Sequence, residues 1–105
     1  MRGYQLTFFT QHDQKKNAQS LGHWLIELAR ELGIRGATLI PAGEGFGPDR
    51  RLHSAHFLEL ADQPQEIIMA VTEEECDMLF SRLSAENISV FYIKTPIEFG
   101  VLGGQ

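Results

Sequence analysis

The run Glu66-Ile67-Ile68-Met69-Ala70-Val71-Thr72-Glu73-Glu74-Glu75-Cys76 changes period halfway along. Its first six residues are mostly apolar and β-favouring, which predicts a strand over Glu66 to Val71. Alternation puts Ile67, Met69 and Val71 on one face and Ile68 and Ala70 on the other. Thr72 followed three residues on by Glu75 is a capping box, in which the threonine side chain and the glutamate each satisfy a free backbone N–H. Cys76, Leu79, Phe80 and Leu83 then recur at helical spacing. Asn87 suits the left-handed position that ends a helix, Ile88 can fold back on it, and Ser89 to Ile93 reads as a further strand. The second half of the chain is therefore β-α-β.

The first half repeats the plan. Tyr4 to Phe9 reads as a strand and Gln11 to Asn17 as a polar loop, with Asn17 as the candidate N-cap of a helix. Leu21, Trp24, Leu25, Leu28 and Leu32 form that helix's apolar stripe, and Gly33-Ile34 ends it as Asn87-Ile88 ends the other. Ala37 to Ile40 is the next strand, running on towards Gly43. Two such units predict an α+β, ferredoxin-like βαββαβ domain over residues 1–105, a four-stranded antiparallel sheet with both helices on one face. The other face is then bare although Ile68, Ala70 and one alternation of Val90 to Ile93 point to it. A partner subunit is the simplest cover, with Ile97, Phe99, Val101 and Leu102 available to the same interface.

Composition narrows the functions. Fourteen acids against nine bases give a net charge of −5, which argues against nucleic acid or an anionic membrane surface as partner. The single cysteine, Cys76, can form no internal disulfide. Met1 to Gln5 leads into a strand rather than a signal peptide, and no apolar run approaches the roughly 20 residues that cross a bilayer, so a cytoplasmic protein without membrane insertion is expected.

The chemistry-bearing residues collect between the two halves, from Gly43 to Leu60. Gly43, Gly45 and Gly47 could bring backbone amides close to an anion or simply bend a strand end; the P-loop lysine and the strand–turn–helix setting of a dinucleotide fingerprint are both missing. Arg50 and Arg51 can clamp phosphate or carboxylate, or remain solvated. His53 and His56 would share a helix face, but Phe57 to Leu60 suggests an extended segment in which they point apart. Metal binding would then need loop histidines, or His12, from several subunits. No serine sits in a nucleophile elbow, Cys76 falls in a core stripe, and Glu73 to Glu75 belong to a helix first turn, so no catalytic residue is assigned.

In Gly36-Ala37-Thr38, Glu44-Gly45-Phe46-Gly47, His53-Ser54-Ala55-His56, Leu58-Glu59-Leu60 and Gln65 to Glu74 the chain resembles the PII-like family, small proteins named for their likeness to PII signalling proteins. The resemblance runs from Tyr4 to Ile93. It implies a homotrimer, and a regulatory T-loop that starts at Gly45-Phe46-Gly47 and spans Pro48 to Leu60. It also implies an adenine nucleotide or other small anion in the cleft between subunits, and an unidentified target protein, a transporter or an enzyme, on which the loop docks. The candidate ligand-binding set is Gly45, Phe46, Gly47, Arg50, Arg51, His53, His56 and Glu59. Departures from PII proteins are Pro48 and Asp49 in place of a glutamine, and Ser84 to Ile88 without glycine or lysine. Lys94 is the one base found where arginines are expected after the last strand. The metal-binding CutA proteins are structural cousins, and a CutA-like trimer using loop histidines is the alternative reading.

Overall fold

The computed structural model describes residues 1–11, 13–46, 52–54 and 63–103. Four strands form one antiparallel sheet: β1 (Arg2–Gln11), β4 (Ala37–Pro41), β7 (Pro64–Thr72) and β8 (Phe91–Glu98), in the order β4-β7-β1-β8. Helices α1 (Leu21–Glu31) and α2 (Glu73–Ala85) pack on one face. Two small hairpins are added, β2 (Lys15–Lys16) with β3 (Gln19–Ser20), and β5 (Glu44–Phe46) with β6 (Leu52–Ser54). The expected α+β architecture is the one observed.

Local signals explain the elements. On α2 the capping box is complete: the Glu75 amide donates to Thr72 Oγ1 at 3.2 Å and the Thr72 amide to Glu75 Oε1 at 2.9 Å. Both helices end in the same motif. Gly33 (φ 78) and Asn87 (φ 56) take the left-handed position, and the amides of Ile34 and Ile88 reach back to the carbonyls of Ala29 and Leu83 at 3.0 and 2.9 Å. The β7 alternation is also as expected. Gln65, Ile67, Met69 and Val71 are buried against the helices, with Leu6 and Phe8 of β1 beside them, while Ile68 and Ala70 point the other way.

Gly3 marks a close backbone approach. A Cβ there would lie 1.9 Å from the Val71 carbonyl oxygen, so only glycine lets β1 run this close to the end of β7.

Three expectations are corrected. The helix cap is Ser20, whose hydroxyl accepts from the His23 amide, and not Asn17. Asn17 (φ 53) and Ala18 (φ 68) are instead the two turn residues of the β2–β3 hairpin, where both positions need a positive φ. The last strand is not Ser89 to Ile93 but Phe91–Glu98, eight residues that follow β1 down to Arg2. Pro96 does not end it, because an edge strand leaves one row of its N–H groups without ladder partners. Finally, the segment from Gly43 to Leu60 is not all loop: Glu44–Phe46 pairs with Leu52–Ser54.

The register shows what the uncovered face carries. Ile40, Glu66, Phe9 and Phe91 form one row across the four strands, and Thr38, Ile68, Thr7 and Ile93 the next. Phe91 and Ile93 stay about half exposed, at 49% and 48%. At the far end Phe99 exchanges backbone hydrogen bonds with Met1, at 2.8 Å each way, and leaves Val101 and Leu102 in solvent. Among the described residues no helix is long and apolar enough to cross a membrane.

Candidate functional site

The antiparallel registers bring the functional segments to one end of the sheet. Gln11 at the end of β1 faces Pro64 at the start of β7, and Pro41 at the end of β4 faces Gln65. Phe91 at the start of β8 faces Phe9. The β1–α1 connection, the β4–β7 connection and the α2–β8 turn therefore leave from the same edge. The Ala42 amide, donating to the Pro64 carbonyl at 2.8 Å, closes the base of the β4–β7 connection.

Of the candidate ligand-binding set, Gly45 and Phe46 lie in β5 and His53 in β6, with Gly45 directly opposite His53 and Phe46 opposite Leu52. Gly47, Arg50, Arg51, His56 and Glu59 lie outside the described residues, as does His12. Thus the two arms of the excursion are joined by pairing, and one histidine is set across from a residue with no side chain. His23 is elsewhere, exposed on α1 with its Nε2 3.9 Å from Glu27 Oε1. Among the described residues no three histidine, cysteine, aspartate or glutamate side chains converge as a metal site would require.

Two further groups receive definite surroundings. Lys94 lies inside β8, not beyond it, and its ammonium sits over Tyr4 at 4.2 Å from the ring centre and over Phe80 at 5.9 Å. Phe80 meets Tyr92 edge-on at 5.0 Å, so Lys94 is held as part of an aromatic cluster along the α2 side of the sheet. Cys76 is buried beneath α2. Burial pushes its thiol above the usual range, Lys94 opposes the shift, and Asp77 and Glu73 reinforce it. A neutral buried thiol is a poor nucleophile, so Cys76 acts as core.

The β2–β3 hairpin is the part of this end that sequence patterning misses. Its arms are two residues each, too short to show a period, and the Asn17 turn signal reads equally as a cap. It places Lys15 and Lys16 beside the α2–β8 turn, where Lys16 Nζ pairs with Glu86 Oε1 at 3.0 Å.

The fold, in which the β5–β6 hairpin falls between β4 and β7 in chain order, is that of PII-like and CutA proteins. CPII, a nitrogen regulatory PII-like protein from Thiomonas intermedia K12 described as bound to ADP, AMP and bicarbonate, superposes with a TM-score of 0.71. Its identity to the chain is 20%, over 96% of this chain and 91% of that one. A putative PII-like signaling protein from Thermus thermophilus gives a TM-score of 0.67 at 20% identity, over 92% of this chain and 88% of that one. CutA1 from Oryza sativa gives 0.62 at 17% identity, over 97% and 85%. At these identities the likeness is one of fold. By sequence, the chain belongs to the family DUF190 (Uncharacterized ACR, COG1993), whose model matches residues 3–89. A UPF0166 protein of Aquifex aeolicus (strain VF5) is 27% identical over 70 residues, 67% of each chain.

Proposed function

We propose that this protein is a PII-like ligand sensor rather than an enzyme. In this reading copies of the chain assemble through the uncovered sheet face into a trimer. A small anionic ligand, with an adenine nucleotide as the leading candidate, binds between subunits at the base of the 46–60 segment. Gly45, Phe46, Gly47, Arg50, Arg51, His53, His56 and Glu59 are the proposed contacts, and the segment passes the bound state to a partner protein.

The observation that carries this reading is the β5–β6 hairpin, set at one end of a sheet whose second face exposes Ile40, Phe91 and Ile93 and is covered by no described element. Apolar surface of that kind fits self-association, and a protruding hairpin beside it fits a docking arm. The ADP, AMP and bicarbonate described for CPII supply the ligand class to try first.

Thermal unfolding in the presence of AMP, ADP, ATP and bicarbonate tests it. A ligand at 100 times its Kd adds about 2.7 kcal/mol to the stability of the folded state, a readily measured rise in Tm. The rise is expected to shrink sharply in an Arg50→Ala, Arg51→Ala double variant. No rise with any of the four at millimolar concentration would rule the sensor reading out.

A further inference from the structure

Anything that covers the open face of the sheet also covers one charge. The register pairs Phe9 with both Glu66 and Phe91, and Glu66 with Ile40. Odd-numbered residues of β1 and β8 and even-numbered residues of β4 and β7 therefore share that face. They are threonine, isoleucine, phenylalanine, glutamine, proline and small residues, with Glu66 as the one ionisable side chain among the described strand residues there.

The described bases are placed elsewhere. Arg2 and Lys94 occupy even positions of β1 and β8, on the helix side, where Lys94 lies over Tyr4 and Phe80. In the helix layer Arg35 is engaged by Glu75 at 3.1 Å and Arg82 by Glu31 at 2.7 Å. Lys16, in the β2–β3 hairpin, is engaged by Glu86 at 3.0 Å. The Met1 ammonium is held at the opposite end of β1, donating to the Phe99 carbonyl at 2.8 Å.

Glu66 itself is partly buried in the row between Ile40 and Phe9, and it makes no ion pair with any described residue. In the free chain water solvates its carboxylate. Pressing the face against the same face of another copy removes that water and brings no base from the facing strands in exchange. An unpaired carboxylate loses more on leaving water than a neutral carboxyl does. Copies that bring their Glu66 side chains close together add like-charge repulsion, which acts in the same direction. Both effects make the covered face hold protons that the free face releases. Assembly then tightens as pH falls and loosens as pH rises.

We propose that Glu66 makes the association of this chain with further copies of itself proton-dependent. The lone carboxylate on an otherwise uncharged face opposes assembly when ionised and permits it when protonated. The inference rests on the reading of that face as an assembly surface, and it adds to that reading the residue that regulates it. It requires neither the ligand nor the 46–60 segment.

The test is sedimentation velocity of the unmodified chain, Glu66→Gln and Glu66→Asp over a concentration series at matched ionic strength. Two conditions suffice, about pH 8 and about pH 6, the lower one still above the isoelectric point of about 5.2. For the unmodified chain the concentration that half-assembles it is expected to fall about tenfold from the higher pH to the lower. Glu66→Gln should assemble at the higher pH about as tightly as the unmodified chain does at the lower, and should lose most of the dependence. Glu66→Asp, which keeps the charge, should retain it. Glu66→Gln that keeps the full dependence, or that assembles more weakly than the unmodified chain because a base of the neighbouring copy has lost its partner, would overturn the proposal. So would loss of the dependence in Glu66→Asp. Monomers of all three proteins under both conditions would overturn the assembly reading itself, and the proposal with it.

Discussion

Phe8 and Phe9 are neighbours in the chain and sit on opposite sides of the sheet. Phe8 is fully buried among Leu6, Ile67, Leu79 and the rest of the core, its ring 6.4 Å from Phe80. Phe9 lies on the uncovered face, and its ring partner is Phe91, 5.5 Å away and itself half exposed. The same residue type, one position apart, has two settings: one aromatic closes the protomer's interior, the other lies on a face of the sheet that no described element covers. The contrast extends along β7, where Ile67, Met69 and Val71 serve the first purpose and Ile68 and Ala70 the second.

Substitutions can break this contrast at graded strength. Phe8→Ala is expected to cost about 3–5 kcal/mol, because a filled core site is emptied with little room to relax, and Phe9→Ala less than half of that. Urea unfolding of the two variants side by side reads the difference, and equal losses would mean that the second face is as well covered as the first. Gly3→Ala comes next. Its Cβ would collide with the Val71 backbone, and the forced separation of β1 from β7 is expected to cost about 1–3 kcal/mol. Amide exchange should quicken at Gly3 to Gln5 and at Ala70 to Thr72, which are paired there. The smallest effect is on the helix that makes the first face a core. Thr72→Ala removes one half of the α2 capping box and should lower stability by about 1 kcal/mol, while Thr72→Ser should retain most of it.

Much of this arrangement is legible in the residues themselves. The alternation of Ile67, Met69 and Val71, the Thr72–Glu75 box and the matching Gly33-Ile34 and Asn87-Ile88 endings each have a local cause, and each occurs as expected. The misreadings come from positions where two local causes compete. Asn17 suits a cap and a tight turn equally, and Ser20, with its hydroxyl placed for the His23 amide, takes the cap. Pro96 argues against a strand except at an edge, and whether a strand is an edge is decided by the whole sheet order. The site is less legible than the fold. Gly45 and His53 carry no signal that they face each other, because that pairing depends on how a long excursion closes. Lys16 gains meaning only through Glu86, 70 positions further on.

The central claim is that the uncovered face of the sheet is an assembly surface. Native mass spectrometry of the purified chain tests it most directly, with an Ile93→Lys variant alongside. A species of three 11.8 kDa copies is expected for the unmodified protein and its dissociation in the variant, since a charge would replace a half-exposed apolar side chain next to Thr7 on the uncovered face. A single 11.8 kDa species for the unmodified protein at micromolar concentration would contradict it.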